Sequence, residues 1–269
     1  MKILVVMGSP RKGNTYRAVQ RIEELMRGRL SPGEELSFSY LMLADAGLAE
    51  CRGCFNCFTW GEERCPIKDE AAAIEARMHE ADGVVFASPV YGMNVTGLFK
   101  TFVDRFAYIF HRPRFFGKTA LLVTTTGMLG HKDVLKYMDL VATVWGFTVA
   151  HRAGLTTLAE PLPPSQAEAN ERKLAAAADA FFEALRRPER PSPSFQDIML
   201  FHGQRGTFAE MGKTFPADYR YWKERGWLEK GTKYFVEGVR VNPVYHMAGT
   251  VMEWSVRRNA RKVAEEMGE

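Results

Sequence analysis

Four cysteines are the residues whose types and spacing are best suited to chemistry, and all of them fall between Cys51 and Cys65. Two residues separate Cys51 from Cys54 and Cys54 from Cys57, and seven more precede Cys65. So short a span cannot cross-link a fold of this size. Clustered thiols in a reducing compartment are typical of metal or redox chemistry rather than of disulfides.

A loop between the first predicted strand and the first predicted helix offers a second chemistry. Residues 8–15 read Gly-Ser-Pro-Arg-Lys-Gly-Asn-Thr and follow a short apolar run. Backbone N–H groups in such a loop converge with the helix N-terminus on one spot, which suits an anion. The loop matches neither the G-x-G-x-x-G dinucleotide pattern nor the P-loop. Two interpretations remain at this point: a phosphate-binding loop with Arg11 supplying charge, or a polar cap of the helix.

The elements that must position these residues alternate between apolar strands and amphipathic helices. Five strands are predicted, over residues 2–7, 35–42, 83–88, 119–126 and 147–150. Five helices are predicted, beginning near Thr15 and covering residues 71–80, 97–110, 131–145 and 165–187, with Ser165 as the cap of the last. This alternation predicts an α/β fold, with a doubly wound, five-stranded parallel sheet covered by helices on both faces.

A second special loop, residues 88–94, follows the third strand with the sequence Ser-Pro-Val-Tyr-Gly-Met-Asn. In a doubly wound sheet, ligands bind outside the carboxyl ends of the strands, at the point where the strand order reverses. The two special loops therefore follow the two strands that are expected to flank this point.

The two loops, together with Gly97, Lys100, Asp104 and Arg105, resemble the NAD(P)H-dependent FMN reductase and iron–sulfur flavoprotein branch of the flavodoxin-like superfamily. The resemblance covers about residues 1–187. It implies the strand order 2-1-3-4-5, FMN as the bound cofactor and NAD(P)H as a transient donor. Lys100, Asp104 and Arg105 lie on a helix, and we expect them to pack and form ion pairs there.

The same resemblance implies which residues contact FMN. The first loop would hold the phosphate, the second would lie along the isoalloxazine ring, and a third loop after the fourth strand would border the other edge of the ring. The cofactor-binding residues implied in this way are Ser9, Arg11, Lys12, Gly13, Asn14 and Thr15, then Pro89, Val90, Tyr91, Gly92, Met93 and Asn94, and finally Thr125, Thr126 and Gly127. No catalytic acid or base is implied, because the flavin carries the chemistry.

The cysteine spacing resembles the bacterial ferredoxin run, including the proline that follows the last cysteine, here Pro66, although the final gap is longer. It also resembles the compact motif of iron–sulfur flavoproteins. A [4Fe-4S] cluster on Cys51, Cys54, Cys57 and Cys65 is therefore one prediction. Structural zinc and thiols that hold nothing remain the alternatives.

Three prolines within residues 188–193 end the predicted FMN-binding domain, residues 1–187, and begin a C-terminal extension, residues 188–269. The extension is rich in aromatic residues, and we expect it to be mainly helical with a small aromatic core. A basic helix over residues 252–266 is expected to pack on the body or a second subunit rather than on a membrane surface. His111 is interpreted as an ordinary surface histidine, whereas Arg112 and Arg114 are left open between a nucleotide phosphate and a neighbouring subunit.

The bulk composition excludes some classes of function. The 269 residues are 46% apolar and 25% charged, with a net charge of +4, and they lack the basic patches of nucleic-acid-binding proteins. No signal peptide and no run of roughly 20 apolar residues is visible, so a cytoplasmic location is expected. The first prediction is an FMN-dependent oxidoreductase, at least dimeric, that passes electrons from NAD(P)H to a small-molecule or protein acceptor. The alternatives are an iron–sulfur flavoprotein and a non-enzymatic flavodoxin-type carrier.

Overall fold

The computed structural model describes residues 1–158, 161–187 and 191–266. The chain forms two compact units. The first contains the described residues of Met1–Cys51, Asp69–Phe106 and Phe115–Pro188, and the second those of Arg52–Lys68, Ala107–Arg114 and Glu189–Glu269. The second unit therefore includes two segments that interrupt the first in sequence, and a division of the chain at residue 187 takes no account of them.

The first unit is built on a five-stranded parallel sheet. Its strands are β1 (Lys2–Met7), β2 (Ser37–Met42), β3 (Gly83–Pro89), β4 (Thr119–Thr126) and β5 (Thr148–Thr156), and their order is β2-β1-β3-β4-β5. Met7 pairs with Ala87, and Ser88 pairs with Thr124, so the loops after β1, β3 and β4 leave the sheet at one edge. The predicted fold and strand order are confirmed.

The helices, in chain order, are α1 (Asn14–Arg27), α2 (Asn56–Thr59), α3 (Ala71–Glu80), α4 (Gly97–Arg105), α5 (His131–Trp145), α6 (Pro164–Arg186), α7 (Phe195–Glu210), α8 (Pro216–Glu224) and α9 (Pro243–Glu266). On one face of the sheet, Val5 and Leu121 pack in one core with Phe181 of α6 and the buried stripe of α1. On the other face, Phe86 contacts Phe99 of α4 and the α5 residue Trp145. Helices therefore cover both faces, as an all-parallel sheet requires.

Three predicted boundaries of the first unit are wrong. β5 runs to Thr156 rather than residue 150, because its half-buried residues break the continuous apolar pattern of an inner strand. Ser165 does not cap α6, which begins at Pro164 with Pro163 as N-cap; proline suits this first turn because it lacks an N–H that would need a partner. The helix predicted over residues 97–110 ends at Arg105, and a 3₁₀ turn covers Ala107–Phe110.

The second unit contains α2, α7, α8, α9 and the 3₁₀ turns Glu62–Arg64 and Ala107–Phe110. Its centre is an aromatic cluster in which Trp222 contacts Phe201, Phe208, Trp227 and Phe235, and all five side chains are buried. The expected aromatic core is therefore present. α9 begins at Pro243, nine residues before the predicted start, and packs along α7. Among the helices described, none is both long enough and apolar enough to cross a bilayer.

Candidate functional site

A cavity of about 210 Å³ lies in the first unit, at the edge where β1, β3 and β4 end. It brings together residues from all three predicted loops and adds one residue after β5. The lining residues are Ser9, Arg11, Gly13, Asn14, Thr15, Pro89, Val90, Tyr91, Thr125, Thr126, Gly127 and Thr157. None of these described residues is acidic, so the cavity offers donors and one guanidinium without a competing carboxylate.

Gly8 fixes the start of the first loop. Its N–H donates to the Ala87 carbonyl at 2.7 Å, and its carbonyl accepts from Thr96 Oγ1, also at 2.7 Å. A Cβ at residue 8 would come within 2.9 Å of the Phe99 Cβ, so only glycine lets the loop approach α4 this closely. Thr96 also caps α4 by accepting from the Phe99 N–H. This contact of Thr96 with the loop was not predicted from the sequence.

The N-terminus of α1 faces the first loop with its donors available. Its N-cap is Gly13, and within the described residues no side chain caps the helix. The hydroxyl of Ser9 instead donates to the Arg11 carbonyl at 2.7 Å, and the buried hydroxyls of Thr15 and Thr125 are hydrogen-bonded at 2.7 Å. The first N–H groups of a helix otherwise need a side chain, water or ligand. Phosphate binding at this end of α1 therefore stays a prediction, with backbone N–H groups that Gly13 cannot cap.

The second loop turns sharply over the cavity. The N–H of Val90 donates to the Thr125 carbonyl, and Tyr91 and Asn94 exchange backbone hydrogen bonds at 2.9 and 3.0 Å. Gly92 and Met93 between them both have positive φ, at 53° and 68°, as a type I′ turn requires. A non-glycine residue in this region costs roughly 1–3 kcal/mol. The turn holds the side chains of Tyr91 and Met93 exposed at the mouth of the site.

Sequence reasoning missed part of the rim. Met128, Leu129 and Leu158 are large apolar residues, each about two-thirds exposed. A Cβ on Gly130 would come within 2.9 Å of Val90 and 3.4 Å of Met93, so the loop after β4 packs against the second loop. The available signal was the apolar pair Met128-Leu129 between two glycines. The loops after β3, β4 and β5 therefore carry exposed apolar side chains, which are suited to contact a planar ring.

Four of the predicted ligands lie outside the lining of this cavity, namely Lys12, Gly92, Met93 and Asn94. Lys12 instead lines a neighbouring cavity of about 440 Å³ with Arg11 and Arg17, and its Nζ lies 5.6 Å from the centre of the Tyr16 ring. Asn94 accepts a hydrogen bond from the Val95 N–H through its side chain. Lys12 and Asn94 therefore stay predicted ligands that the lining of the first cavity does not include.

The α4 residues form the expected ion pairs. Lys100 pairs with Asp104 on the exposed face of the helix. Arg105 pairs with Asp69, and both of these side chains are only 5% exposed.

The four cysteines are divided between the two units. Cys51 belongs to the first unit, whereas Cys54, Cys57 and Cys65 belong to the second. Cys51 and Cys54 are exposed, and Cys57 and Cys65 are half-buried. Throughout the described ranges, no three His, Cys, Asp or Glu side chains are placed to hold a metal ion. The cluster predicted on these four cysteines, and the zinc alternative, therefore stay predictions.

Arg112 and Arg114 hold the cysteine segment within the second unit. Arg112 donates to the Cys57 carbonyl at 2.6 Å and to Glu62 at 2.7 Å, and Arg114 donates to the other oxygen of Glu62 at 2.8 Å. Burial raises the pKa of Glu62, but the two arginines outweigh it and hold the pKa below its usual value. Neither arginine is an open phosphate ligand.

His111 is not the ordinary surface histidine expected from the sequence. Its Nδ1 lies 2.7 Å from Oδ2 of Asp218, a fully buried carboxyl in the first turn of α8. Burial raises the pKa of Asp218, against the opposing effects of His111 and Arg112. The histidine therefore satisfies a buried acid and fixes the 3₁₀ turn before it to α8.

Comparison with known proteins gives a family for the chain. A family model described as NADPH-dependent FMN reductase matches residues 1–157. An iron–sulfur flavoprotein of Archaeoglobus fulgidus is 29% identical over 231 residues, which are 85% of this chain and 100% of that protein. An iron–sulfur flavoprotein of Clostridioides difficile is 36% identical over 127 residues, 46% of this chain and 54% of that protein.

The solved structures support the fold. RosB, solved with bound 8-demethyl-8-formylriboflavin-5'-phosphate, superimposes with a TM-score of 0.54 at 14% identity. The match covers 69% of this chain and 79% of RosB. This likeness concerns the fold, whereas the family model and the sequence relatives confirm the predicted resemblance to the FMN reductase and iron–sulfur flavoprotein branch.

Proposed function

The chain belongs to the NADPH-dependent FMN reductase family, and on that premise we propose that it binds FMN in the cavity after β1, β3 and β4 and takes reducing equivalents from NAD(P)H. The observation that carries the proposal is the uncapped N-terminus of α1 beside Arg11, in a cavity whose described lining has no carboxylate. A phosphate monoester matches this donor set, because it is a compact anion that accepts several N–H groups at once.

The first loop provides the phosphate contacts in this proposal. Ser9, Arg11, Gly13, Asn14 and Thr15 supply backbone N–H groups, hydroxyls and one guanidinium at the start of α1. The bond between the hydroxyls of Thr15 and Thr125 ties this loop to the end of β4. Phosphate binding and ring binding would therefore be coupled through one buried contact.

The other loops provide the bed for the ring. Pro89, Val90 and Tyr91 lie along the cavity on one side, and Thr125, Thr126 and Gly127 border it on the other. Bound FMN would supply the electron-transfer chemistry of such an enzyme. The residues of the chain would position the ring through backbone contacts, while the exposed apolar side chains of Tyr91 and Met128 would exclude water from its edge.

The donor is tested by anaerobic titration of the flavin-loaded protein with NADPH and then NADH. We expect the flavin absorbance to bleach with at least one of the two nucleotides. Persistence of the oxidised spectrum with both, while dithionite still bleaches it, would show that the flavin is bound but the donor is not a nicotinamide.

An iron–sulfur flavoprotein is the second candidate function, and one observation favours it. The Archaeoglobus fulgidus protein, the whole length of which is matched by 85% of this chain, is named an iron–sulfur flavoprotein. The four closely spaced cysteines of this chain agree with that name. Among the described residues, no three metal-ligating side chains are grouped together, so no electron-transfer step is proposed through a cluster. Anaerobic purification with iron and acid-labile sulfide assays decides between the candidates. About four of each per chain, lost in Cys54→Ser, would support the second.

We also propose that the protein is at least a dimer and passes electrons to a small-molecule or protein acceptor. The support is the amount of exposed apolar surface on the extension, which a monomer rarely leaves uncovered.

A further inference from the structure

The N-terminal half of α9 exposes four large apolar side chains in a straight line. Val244, Met247, Val251 and Trp254 are between 63% and 65% exposed. They are spaced by three, four and three residues, which places them on one face of the helix over about 15 Å. The opposite face, which includes the buried Gly249 and Glu253, packs against α7. We call these four residues the α9 stripe.

No charge interrupts the α9 stripe. From residue 244 to residue 255, all of which the structure describes, the other exposed positions are Thr250 and Ser255. Both are small enough to let a second helix approach. The ring of Phe195 lies 5.4 Å from that of Tyr245 and extends apolar surface at the start of α9. A solvent-exposed helix face normally carries charged residues, so this face is suited to an interface.

The spacing of the α9 stripe favours a second copy of α9 as its binding partner. Because the spacing reads the same in both directions, a second α9 laid antiparallel places Trp254 opposite Val244 and Met247 opposite Val251. Such a face is self-complementary about a two-fold axis, as an isologous dimer interface must be. The three-four-three spacing is also the seam spacing of paired helices.

Charge argues against the other occupants. Beyond Trp254 the helix is basic, but Arg257 and Arg261 pair with Glu210 on α7, and Arg257 also pairs with Glu253. Two of the four basic residues after Trp254, Arg257 and Arg261, are therefore paired within the chain, which weakens attraction to an anionic membrane. A parallel pair of helices would place Arg258 beside its own copy, whereas the antiparallel pair separates the two basic ends.

We propose that the α9 stripe is a homodimer interface in which two copies of α9 pack antiparallel. The two-fold axis lies on the exposed side of the helix, at the level of residue 249. The inference rests on the proposed homo-oligomer and not on the flavin site. Its test therefore measures molecular mass. The proposed function is tested separately, and it would fail if the protein bound no flavin or if NAD(P)H did not reduce the bound flavin.

The first experiment compares Val251→Asp with Leu140→Asp by light scattering over a range of protein concentrations. Leu140 is a similarly exposed apolar residue on α5 and serves as the matched control. We expect the wild type and Leu140→Asp to be dimers. Val251→Asp should raise the dimer Kd by more than about 100-fold, since it places two like charges together in the interface. Far-UV circular dichroism checks folding, and Val251→Thr repeats the test more mildly.

The second experiment places the photo-crosslinker benzoylphenylalanine at position 254. We expect the crosslinked peptide of the other copy to contain Val244. A wild-type monomer, an unchanged dimer in folded Val251→Asp, or a crosslink to the region of Trp254 would overturn the proposal. It is also overturned if the wild type is monomeric and sediments with vesicles of equal parts phosphatidylglycerol and phosphatidylcholine, in which case lipid is the occupant.

Discussion

At the residue scale, Asp69 is a buried carboxylate that ties three parts of the first unit together. It accepts from Arg105 of α4 at 2.7 and 2.9 Å, from the Ala49 N–H at 3.0 Å and from the Ala71 N–H at 3.2 Å. Burial raises the pKa of this carboxyl, but the Arg105 bond and the two backbone bonds outweigh it and hold the pKa below its usual value. Stability from Asp69 is therefore present above about pH 4 and is lost as pH falls further.

Arg105→Met is expected to destabilise the protein strongly. Removing one partner of a buried ion pair leaves an uncompensated charge, at a cost of about 3–5 kcal/mol. Lys100→Met on the same helix is the matched control, because it breaks only the half-exposed pair with Asp104 and should cost less than about 1 kcal/mol. Denaturant unfolding measures both. Equal effects of the two substitutions would contradict the role assigned to the Asp69–Arg105 pair.

The sequence predicted most of the candidate site because its residues follow strand ends in two recognisable loops. Ser9, Arg11, Thr15 and Pro89 line the cavity as placed. Thr157 was missed because a threonine after an edge strand carries no pattern of its own, and the apolar pair Met128-Leu129 between two glycines was a signal that was not used. The cluster indicated by the cysteine spacing stays a prediction, because spacing alone does not determine where the thiols point.

At the element scale, α7 and α9 are joined by a buried histidine network. His202 is almost fully buried, with Nδ1 2.6 Å from Glu253 Oε2 and Nε2 3.1 Å from His246 Nδ1. The pKa of His246 is lowered, mainly by burial and then by the positive charges of His202, Lys233 and Arg205. The carboxylate of Glu253 raises it, but by less. A base with a lowered folded pKa binds fewer protons than in the unfolded chain. Stability should therefore fall as pH drops below about 6.5.

His246→Asn is expected to reduce this sensitivity to acid. Asparagine keeps an N–H donor near His202 Nε2 but does not titrate. The fall in Tm between about pH 7 and pH 5 should shrink by at least about 2 °C relative to wild type. Asn259→Ser, at an exposed position of the same helix outside the α9 stripe, is the control. An acid response in His246→Asn identical to that of both wild type and control would exclude this histidine as its source.

Elements that are buried on a regular pattern were predicted with their observed bounds. β4 and α5 were predicted over the residues that form them, because β4 is fully buried and α5 has a clear apolar face. The start of α9 was missed for the opposite reason. Its first half exposes an apolar stripe, so it lacks the polar outer face by which an amphipathic helix is recognised. The exposed apolar side chains of α9 therefore explain why its start was missed, and they are also the basis of the proposed dimer interface.

At the scale of the whole molecule, the second unit depends on segments from three parts of the chain. Trp222 Nε1 donates to the His111 carbonyl at 2.7 Å, and Gln204 donates to the Phe110 carbonyl. Both carbonyls belong to the segment Ala107–Arg114, which lies within the predicted FMN-binding domain. The extension is therefore expected to stabilise that segment.

A chain that ends at residue 187 is expected to be less stable than the full protein. It loses the α7 and α8 partners of His111 and Phe110 and leaves Arg112 without Asp218. We expect poor solubility or a Tm lower by more than about 5 °C, with recovery when residues 188–269 are co-expressed. A truncated chain with the full-length Tm would show that the extension contributes nothing to the stability of the rest.

The loop before α1 is proposed to bind the phosphate of FMN through Arg11 and Thr15. Each charge-assisted phosphate contact contributes about 1.5–3 kcal/mol, so removing two should weaken binding roughly 100- to 10,000-fold. Arg21→Ala is the matched control, because it removes an exposed arginine of α1 that pairs with Glu24 and Glu171 instead.

Calorimetric titration of the apo-protein with FMN measures whether Arg11 and Thr15 contribute to FMN binding. We predict about one FMN per wild-type chain, unchanged affinity in Arg21→Ala, and at least about 100-fold weaker binding in the folded Arg11→Ala/Thr15→Ala variant. FMN affinity that is the same in the double variant as in the wild type, or no FMN binding by the wild type, would contradict the account.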